Sequence, residues 1–228
     1  MRAGVIDIGS NSIKLLIGEK SDQGMTVLES LKNIVPIGKS TFFDGQIAQE
    51  DINQIIGILE KYKKVLKEYD VTNVKVIATT AVREADNKEI FLDTLRRKTD
   101  LLIEVLSVGD VIYYIDAYIS HKLKDSYPLH TKNLIIAEIG AGSLDISVMR
   151  KGFTVMNLGL PLGTLRLKKM MAKLDGSHEE TLEALKEHIQ TDILYFKKML
   201  PKIQIDDIIL IDENYTYLQS ILPGKKKE

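Results

Sequence analysis

The 228-residue chain has no cysteine, no tryptophan and only four histidines. Lacking cysteine, it can hold no disulfide framework, no thiolate metal site and no thiol nucleophile. His121, His130, His178 and His188 are scattered without ligand spacing, which argues against a zinc centre. Ser10, Ser12 and Ser143 have no evident histidine partner for nucleophilic catalysis. Net charge is nearly absent too: 31 Lys and Arg stand against 32 Asp and Glu. Nothing therefore advertises a nucleic acid or an anionic membrane as partner. No apolar run is long enough to span a bilayer, and no secretory leader is read ahead of the first strand, so a cytoplasmic location is expected. No Walker A sequence occurs.

What the chain does have is a pattern that comes twice. Val5 to Ile17 reads as an apolar strand carrying one carboxylate, Asp7, then the turn Gly9-Ser10-Asn11-Ser12, then a second apolar strand. A carboxylate inside an apolar strand is costly unless it lies at an exposed end or meets a cation. Gly9 and the small polar residues after it allow backbone amides and hydroxyls to close around an anion. Taken alone, such a turn is an ordinary hairpin connection. Leu134 to Val148 repeats it in register, with Glu138 on Asp7, Gly140 on Gly9 and Ser143 on Ser12. Two similar lobes are expected, each contributing one turn to a phosphate site with a divalent cation on the acids.

Along the rest of the chain, Met25 to Leu31 reads as a third strand and Gly38 to Gly45 as a polar loop. Apolar residues at three- and four-residue spacing predict a helix from Glu50 to Tyr69. Val74 to Ala78 is a short strand, and Thr79-Thr80-Ala81-Val82-Arg83 after it reads as a turn into a helix. That geometry can aim amides and hydroxyls at an anion, with Arg83 as a guanidinium clamp. A helix over Ile90–Arg97 and a strand over Leu101–Leu106 follow. The next helix opens at Gly109-Asp110, runs to Lys122, and has Val111, Tyr114, Ile115 and Tyr118 as its expected core stripe. Pro128 lies in a polar connection, and the lobe boundary is placed between residues 1–124 and 125–228. Further strands are expected at Phe153–Leu158 and Ile208–Ile211, with a helix ending near Leu174. A long helix from Glu180 to Leu200 has Leu182, Leu185, Ile189, Ile193, Phe196 and Leu200 inward. A last short helix is read at Tyr215–Leu222, before a solvated tail with Lys225, Lys226 and Lys227.

Gly140-Ala141-Gly142 is not a dinucleotide fingerprint, because Asp145 stands where the third glycine belongs and a strand follows rather than a helix. The residues instead resemble the exopolyphosphatase and guanosine pentaphosphate phosphatase (Ppx/GppA) family of the actin-like ATPase superfamily. Asp7-Ile8-Gly9-Ser10-Asn11-Ser12 looks like its first phosphate loop. Ala78 to Asn87 is similar to its second signature. Glu138-Ile139-Gly140-Ala141-Gly142-Ser143-Leu144-Asp145 resembles its second phosphate loop, and Pro161 to Leu167 its Leu-Gly-x-Val-Arg-Leu segment.

The resemblance implies an α/β protein of two ribonuclease-H-like, actin-like lobes with mixed sheets and flanking helices, the second lobe shortened. It implies magnesium as cofactor, held by Asp7, Glu138 and Asp145. Phosphate contacts fall on Gly9, Ser10, Asn11, Ser12, Thr80, Arg83, Gly140, Gly142 and Ser143. The implied reaction is hydrolysis of terminal phosphate from polyphosphate or guanosine pentaphosphate by a carboxylate-activated water, with Glu138 among the catalytic residues. A homodimer is a further expectation. The chain departs from the pattern at the family's catalytic glutamate, where Val111 stands and Asp110 is the nearest acid. The alternative is a catalytically degenerate relative that binds such a ligand, or a protein partner, as a sensor or scaffold. A nucleotide-dependent kinase or ATPase would need a glycine-rich turn near Asp212 to Thr216, which is missing.

Overall fold

A computed structural model describes residues 1–22 and 24–212. The expected helix at Tyr215–Leu222, the acidic stretch beyond Asp212 and the lysine tail lie outside these residues. The chain forms two units, Met1–Ser107 and Val108–Glu228.

In the first unit, β1 (Arg2–Ile8), β2 (Ser12–Ser21), β3 (Gly24–Ile34), β4 (Asn73–Ala78) and β5 (Ile103–Val105) make a mixed sheet in the order β3-β2-β1-β4-β5. Alternation along β1 and β2 sends Ile6, Ile8, Ile13, Leu15 and Ile17 to one face, all fully buried. That face packs on α2 (Gln49–Glu68), α3 (Thr80–Glu84) and α4 (Lys88–Thr99) through Ile55, Leu59, Val82, Phe91 and Leu95. Tyr62 anchors α2: its hydroxyl lies 3.0 Å from the Ile13 carbonyl and 2.9 Å from Asn33 Oδ1. Burial raises the pKa of that phenol above its ordinary value.

Gly38 to Gly45 is not the expected polar loop. It forms a helix, α1 (Gly38–Asp44), closed by Gly45 at φ +73°. Its apolar residues are too few to show a period. Tertiary contacts set it instead: Thr41 is buried, and the Gly45 carbonyl accepts from the Asp86 N–H at 2.7 Å.

In the second unit, β6 (Asn133–Ile139), β7 (Leu144–Arg150), β8 (Phe153–Leu160) and β9 (Asp207–Asp212) make a sheet in the order β8-β7-β6-β9. Strand for strand this repeats β3-β2-β1-β4, and the repeat extends to an irregularity. The β2–β3 register shifts at Ile17/Gly18, and the β7–β8 register shifts at the equivalent Val148/Met149. One face packs on α6 (Thr164–Lys173) and α7 (His178–Met199), through Ile146, Val148, Ile189, Ile193 and Phe196. The other packs on α5 (Val108–Leu123), through Ile119, Leu134, Ile136 and Met149. Because α5 lies on this sheet, the unit boundary falls at Ser107/Val108, ahead of the expected 124/125.

Two helix faces differ from expectation. On α5 the buried residues are Ile112, Asp116 and Ile119, whereas Tyr114 and Tyr118 are exposed. On α7, Leu182 is exposed rather than inward.

Gly163 sets the junction of α6 with the β6–β7 turn. A Cβ there would lie 2.2 Å from the Gly142 carbonyl carbon and 2.4 Å from Ala141 O. Both are backbone atoms that cannot swing aside. Gly163→Ala is expected to destabilise the second unit by about 1–3 kcal/mol, the usual range for overpacking. Tyr62→Phe serves as a marker for the first unit, so urea melts of both variants report which unit loosens.

A capping box starts α7. Ser177 Oγ accepts from the Glu180 N–H at 3.3 Å, and Glu180 Oε2 accepts from the Ser177 N–H at 2.8 Å. These bonds, the Ser177 backbone one first, lower the Glu180 pKa below its ordinary value. The stabilisation is therefore present above the unfolded carboxylate pKa and lost as pH falls through the lowered one. Amide protection in the first turn of α7, relative to intrinsic exchange at each pH, should fall at acid pH in wild type, and Glu180→Gln should flatten that dependence.

Candidate phosphate site

The two turns are closed by the same bond. Gly9 N–H donates to Ser12 O at 3.0 Å, and Gly140 N–H donates to Ser143 O at 2.9 Å. A Cβ at Gly9 would stand 3.2 Å from Ser12 O, and one at Gly140 3.4 Å from Ser143 O. The two glycine amides, expected as phosphate donors, are thus committed to closing their turns.

Carbonyls of both turns are also taken up, each time by the segment after the third strand of the unit. Gly38 N–H donates to Ser10 O at 2.8 Å and Val35 N–H to Asn11 O at 3.1 Å. In the second turn Thr164 N–H donates to Gly140 O at 3.0 Å and Leu165 N–H to Ala141 O at 2.9 Å. Arg166 Nε donates to Gly142 O at 3.1 Å. The carbonyls of each turn are thus held by the scaffold of its own unit. Ser10, Ser12, Gly142 and Ser143 are buried, and Asn11 is exposed at the tip.

The copies differ in charge. In the first, Asp7 pairs across the sheet with Lys14. In the second, Glu138 pairs with Asp145. Directly opposed strand residues share a face, and two like charges there are destabilising unless a cation lies between them. Asp145 is buried, and its Oδ2 accepts from Ser143 Oγ at 2.9 Å. Beside it, Gly159 leaves room for two neighbours: a Cβ at that position would meet Asp145 Oδ1 at 2.9 Å and Val108 Cγ1 at 3.0 Å. Asp145 and the start of α5 are therefore neighbours. Asp110 is exposed in the first turn of α5, and Val111 beside it is half-buried.

Arg83 is not simply a clamp held out to solvent. Its Nη1 donates to Leu106 O at 2.8 Å and its Nη2 to Thr80 Oγ1 at 3.2 Å. The guanidinium thus ties α3 to the end of β5 with two of its five N–H donors. Thr80 is buried, and Thr79 donates its N–H to Ile8 O rather than capping α3 with its side chain.

Magnesium takes one or two carboxylates and fills its remaining positions with water and substrate phosphate. The opposed Glu138 and Asp145 fit that donor set. Among the described residues, no three Asp, Glu, His or Cys residues gather into a metal cage.

One residue escaped the sequence reading. Asp116, in the middle of α5, is buried and accepts from Ser147 Oγ at 2.7 Å and from Thr154 Oγ1. It joins the helix to β7 and β8 and lines a cavity of about 410 Å³ with Tyr113, Thr154 and Asn157. A lone acid in a helix reads as solvated, so no sequence signal marked it.

Known proteins share this architecture. The model of the Ppx/GppA phosphatase family matches residues 16–207. Exopolyphosphatase 1 of Mycobacterium tuberculosis is 25% identical over 195 residues, which are 85% of this chain and 55% of that protein. The chain thus spans about half the length of this relative. A crystal structure of the Aquifex aeolicus Ppx/GppA family member aligns with a TM-score of 0.75 and 25% identity, covering 99% of this chain and 72% of that one. An exopolyphosphatase from Cytophaga hutchinsonii shares the fold, with a TM-score of 0.79 at 22% identity, over 92% of this chain and 66% of its own. Among the described residues no helix is long and apolar enough to cross a membrane. The two mixed sheets with flanking helices are the expected actin-like arrangement, and the chain belongs to the Ppx/GppA phosphatase family.

Proposed function

We propose that the chain hydrolyses the terminal phosphoanhydride of inorganic polyphosphate or guanosine pentaphosphate in the cytoplasm. The observation that carries this reading is the second turn, whose carbonyls are bound by α6 and whose flanking strands oppose Glu138 to Asp145. Amides and hydroxyls of Ser10, Asn11, Ser12, Gly142 and Ser143 bind phosphate oxygens, and Arg83 adds its remaining donors. Glu138 and Asp145 would hold magnesium, with Asp7 the corresponding acid of the first copy, and the ion would supply charge neutralisation at the phosphate. Asp110, in the first turn of the helix whose start lies near Asp145, takes the proton from the attacking water.

The test is orthophosphate release from long-chain polyphosphate and from guanosine pentaphosphate, with magnesium. Asp110→Asn should lower kcat by about 10²–10⁴ with substrate binding retained, the range for loss of a general base. Glu138→Ala should abolish both release and magnesium-dependent binding. Release unchanged in both variants would overturn the reading.

A second reading rests on Val111, a side chain that takes no proton at the position where the resemblance expects the base. On that reading the chain binds the same ligand as a sensor. No release, together with magnesium-dependent ligand binding that Arg83→Ala weakens, would select it.

A further inference from the structure

Asn87 flanks the start of α4, the place where an asparagine side chain ordinarily caps a helix. Here it makes no such cap. Its amide reaches back along the chain to the connection between α1 and α2. Ile47 N–H donates to Asn87 Oδ1 and Asn87 Nδ2 donates to Ile47 O, both at 2.9 Å. One side chain thus meets both backbone groups of one residue, as a neighbouring strand would. Ile47 belongs to the buried core of the first unit, where a backbone group left unmet is costly.

These bonds complete a circuit around the first turn. Thr79 N–H donates to Ile8 O at 3.2 Å, which fixes the start of α3 to the end of β1. Past α3, Asp86 N–H donates to Gly45 O at 2.7 Å, and Asn87 holds Ile47. Gly45 N–H closes α1 on Thr41 O at 3.1 Å, and Gly38, at the other end of α1, donates to Ser10 O at 2.8 Å. The circuit therefore leaves the strand at Ile8 and rejoins the chain at Ser10, on either side of Gly9. Thr80 and Arg83 stand on its α3 arm. The Asp86–Gly45 bond alone would be a pivot. The two bonds of Asn87 beside it stop rotation about that pivot.

We infer that Asn87 is a positioning residue for the first phosphate turn. By clamping the α1–α2 connection to the end of α3, it sets the spacing between Ser10-Asn11-Ser12 and the Thr80–Arg83 segment. It acts through those segments and not by contact with the ligand. The inference rests on the phosphate reading proposed above.

Asn87→Ala deletes both bonds. Asn87→Asp keeps the acceptor, loses the donor, and starts a helix about as well as Asn. Thr99→Val is the control: it removes a buried bond to Leu95 O at the far end of α4, outside the circuit. Thermal melts are run on all three variants. In Asn87→Ala, native-state protection of the Gly38 amide should fall about tenfold beyond any change in Thr99→Val. With magnesium and long-chain polyphosphate, KM (or Kd, where there is binding without release) should rise about tenfold, with kcat changed far less. In Asn87→Asp the defect relative to wild type should shrink as pH falls, because the protonated carboxyl can again donate to Ile47 O. Unchanged Gly38 protection overturns the inference, and so does an unchanged KM or Kd in a chain that hydrolyses or binds polyphosphate. A wild type that does neither would instead sink the phosphate reading, and Gly38 protection alone would then decide the clamp.

Discussion

Everything in the candidate site depends on one backbone hydrogen bond made twice, from the glycine amide to the serine carbonyl across each hairpin turn. It holds the strands in the register that sets Asp7 against Lys14 and Glu138 against Asp145. The carbonyls of each turn then serve as docking points for the segment after the third strand: residues 35–38 in the first unit, the start of α6 in the second. The turns are scaffolded by backbone on the carbonyl side, so a phosphate-binding function falls to amides and hydroxyls. Gly163 shows how tight that scaffold is, since no side chain fits between α6 and the turn.

With backbone geometry so alike, the two copies are distinguished by side-chain charge. An Asp–Lys pair is neutral and needs no ion. A Glu–Asp pair on one sheet face, its aspartate buried and held by Ser143, offers a donor set suited to a cation. The asymmetry is one of side-chain charge, and in the second copy Asp145 neighbours the start of α5.

Much of this was legible in the sequence, because strands alternate visibly and a repeated Gly-x-x-Ser turn is a local signal. The duplication accounts for the order that the two sheets share. The long helix α2 shows its period openly. What was hidden was set by contacts distant in sequence. α1 has no period and is held by Thr41 and by Asp86 on Gly45. The commitment of the Gly9 and Gly140 amides to turn closure is a matter of geometry that residue types do not reveal. Arg83 reads as a ligand clamp, yet two of its donors bind Leu106 O and Thr80, contacts that sequence spacing cannot indicate.

The most instructive difference is the face of α5. Its sequence offers two stripes one residue apart, Val111–Ile115–Tyr118 and Ile112–Asp116–Ile119, and hydrophobicity favours the first. The fold buries the second, which requires a carboxylate inside the helix–sheet interface. Burying an acid without partners is prohibitive, but hydroxyls from two strands meet this one. The equivalent strand position in the first unit is Leu16, with no hydroxyl to offer. An acid at that point of the helix is met by hydroxyls on the second sheet, whereas Leu16 would offer it none. The buried acid thus anchors the middle of α5 to β7 and β8, while the start of the helix, at Val108, lies near Asp145.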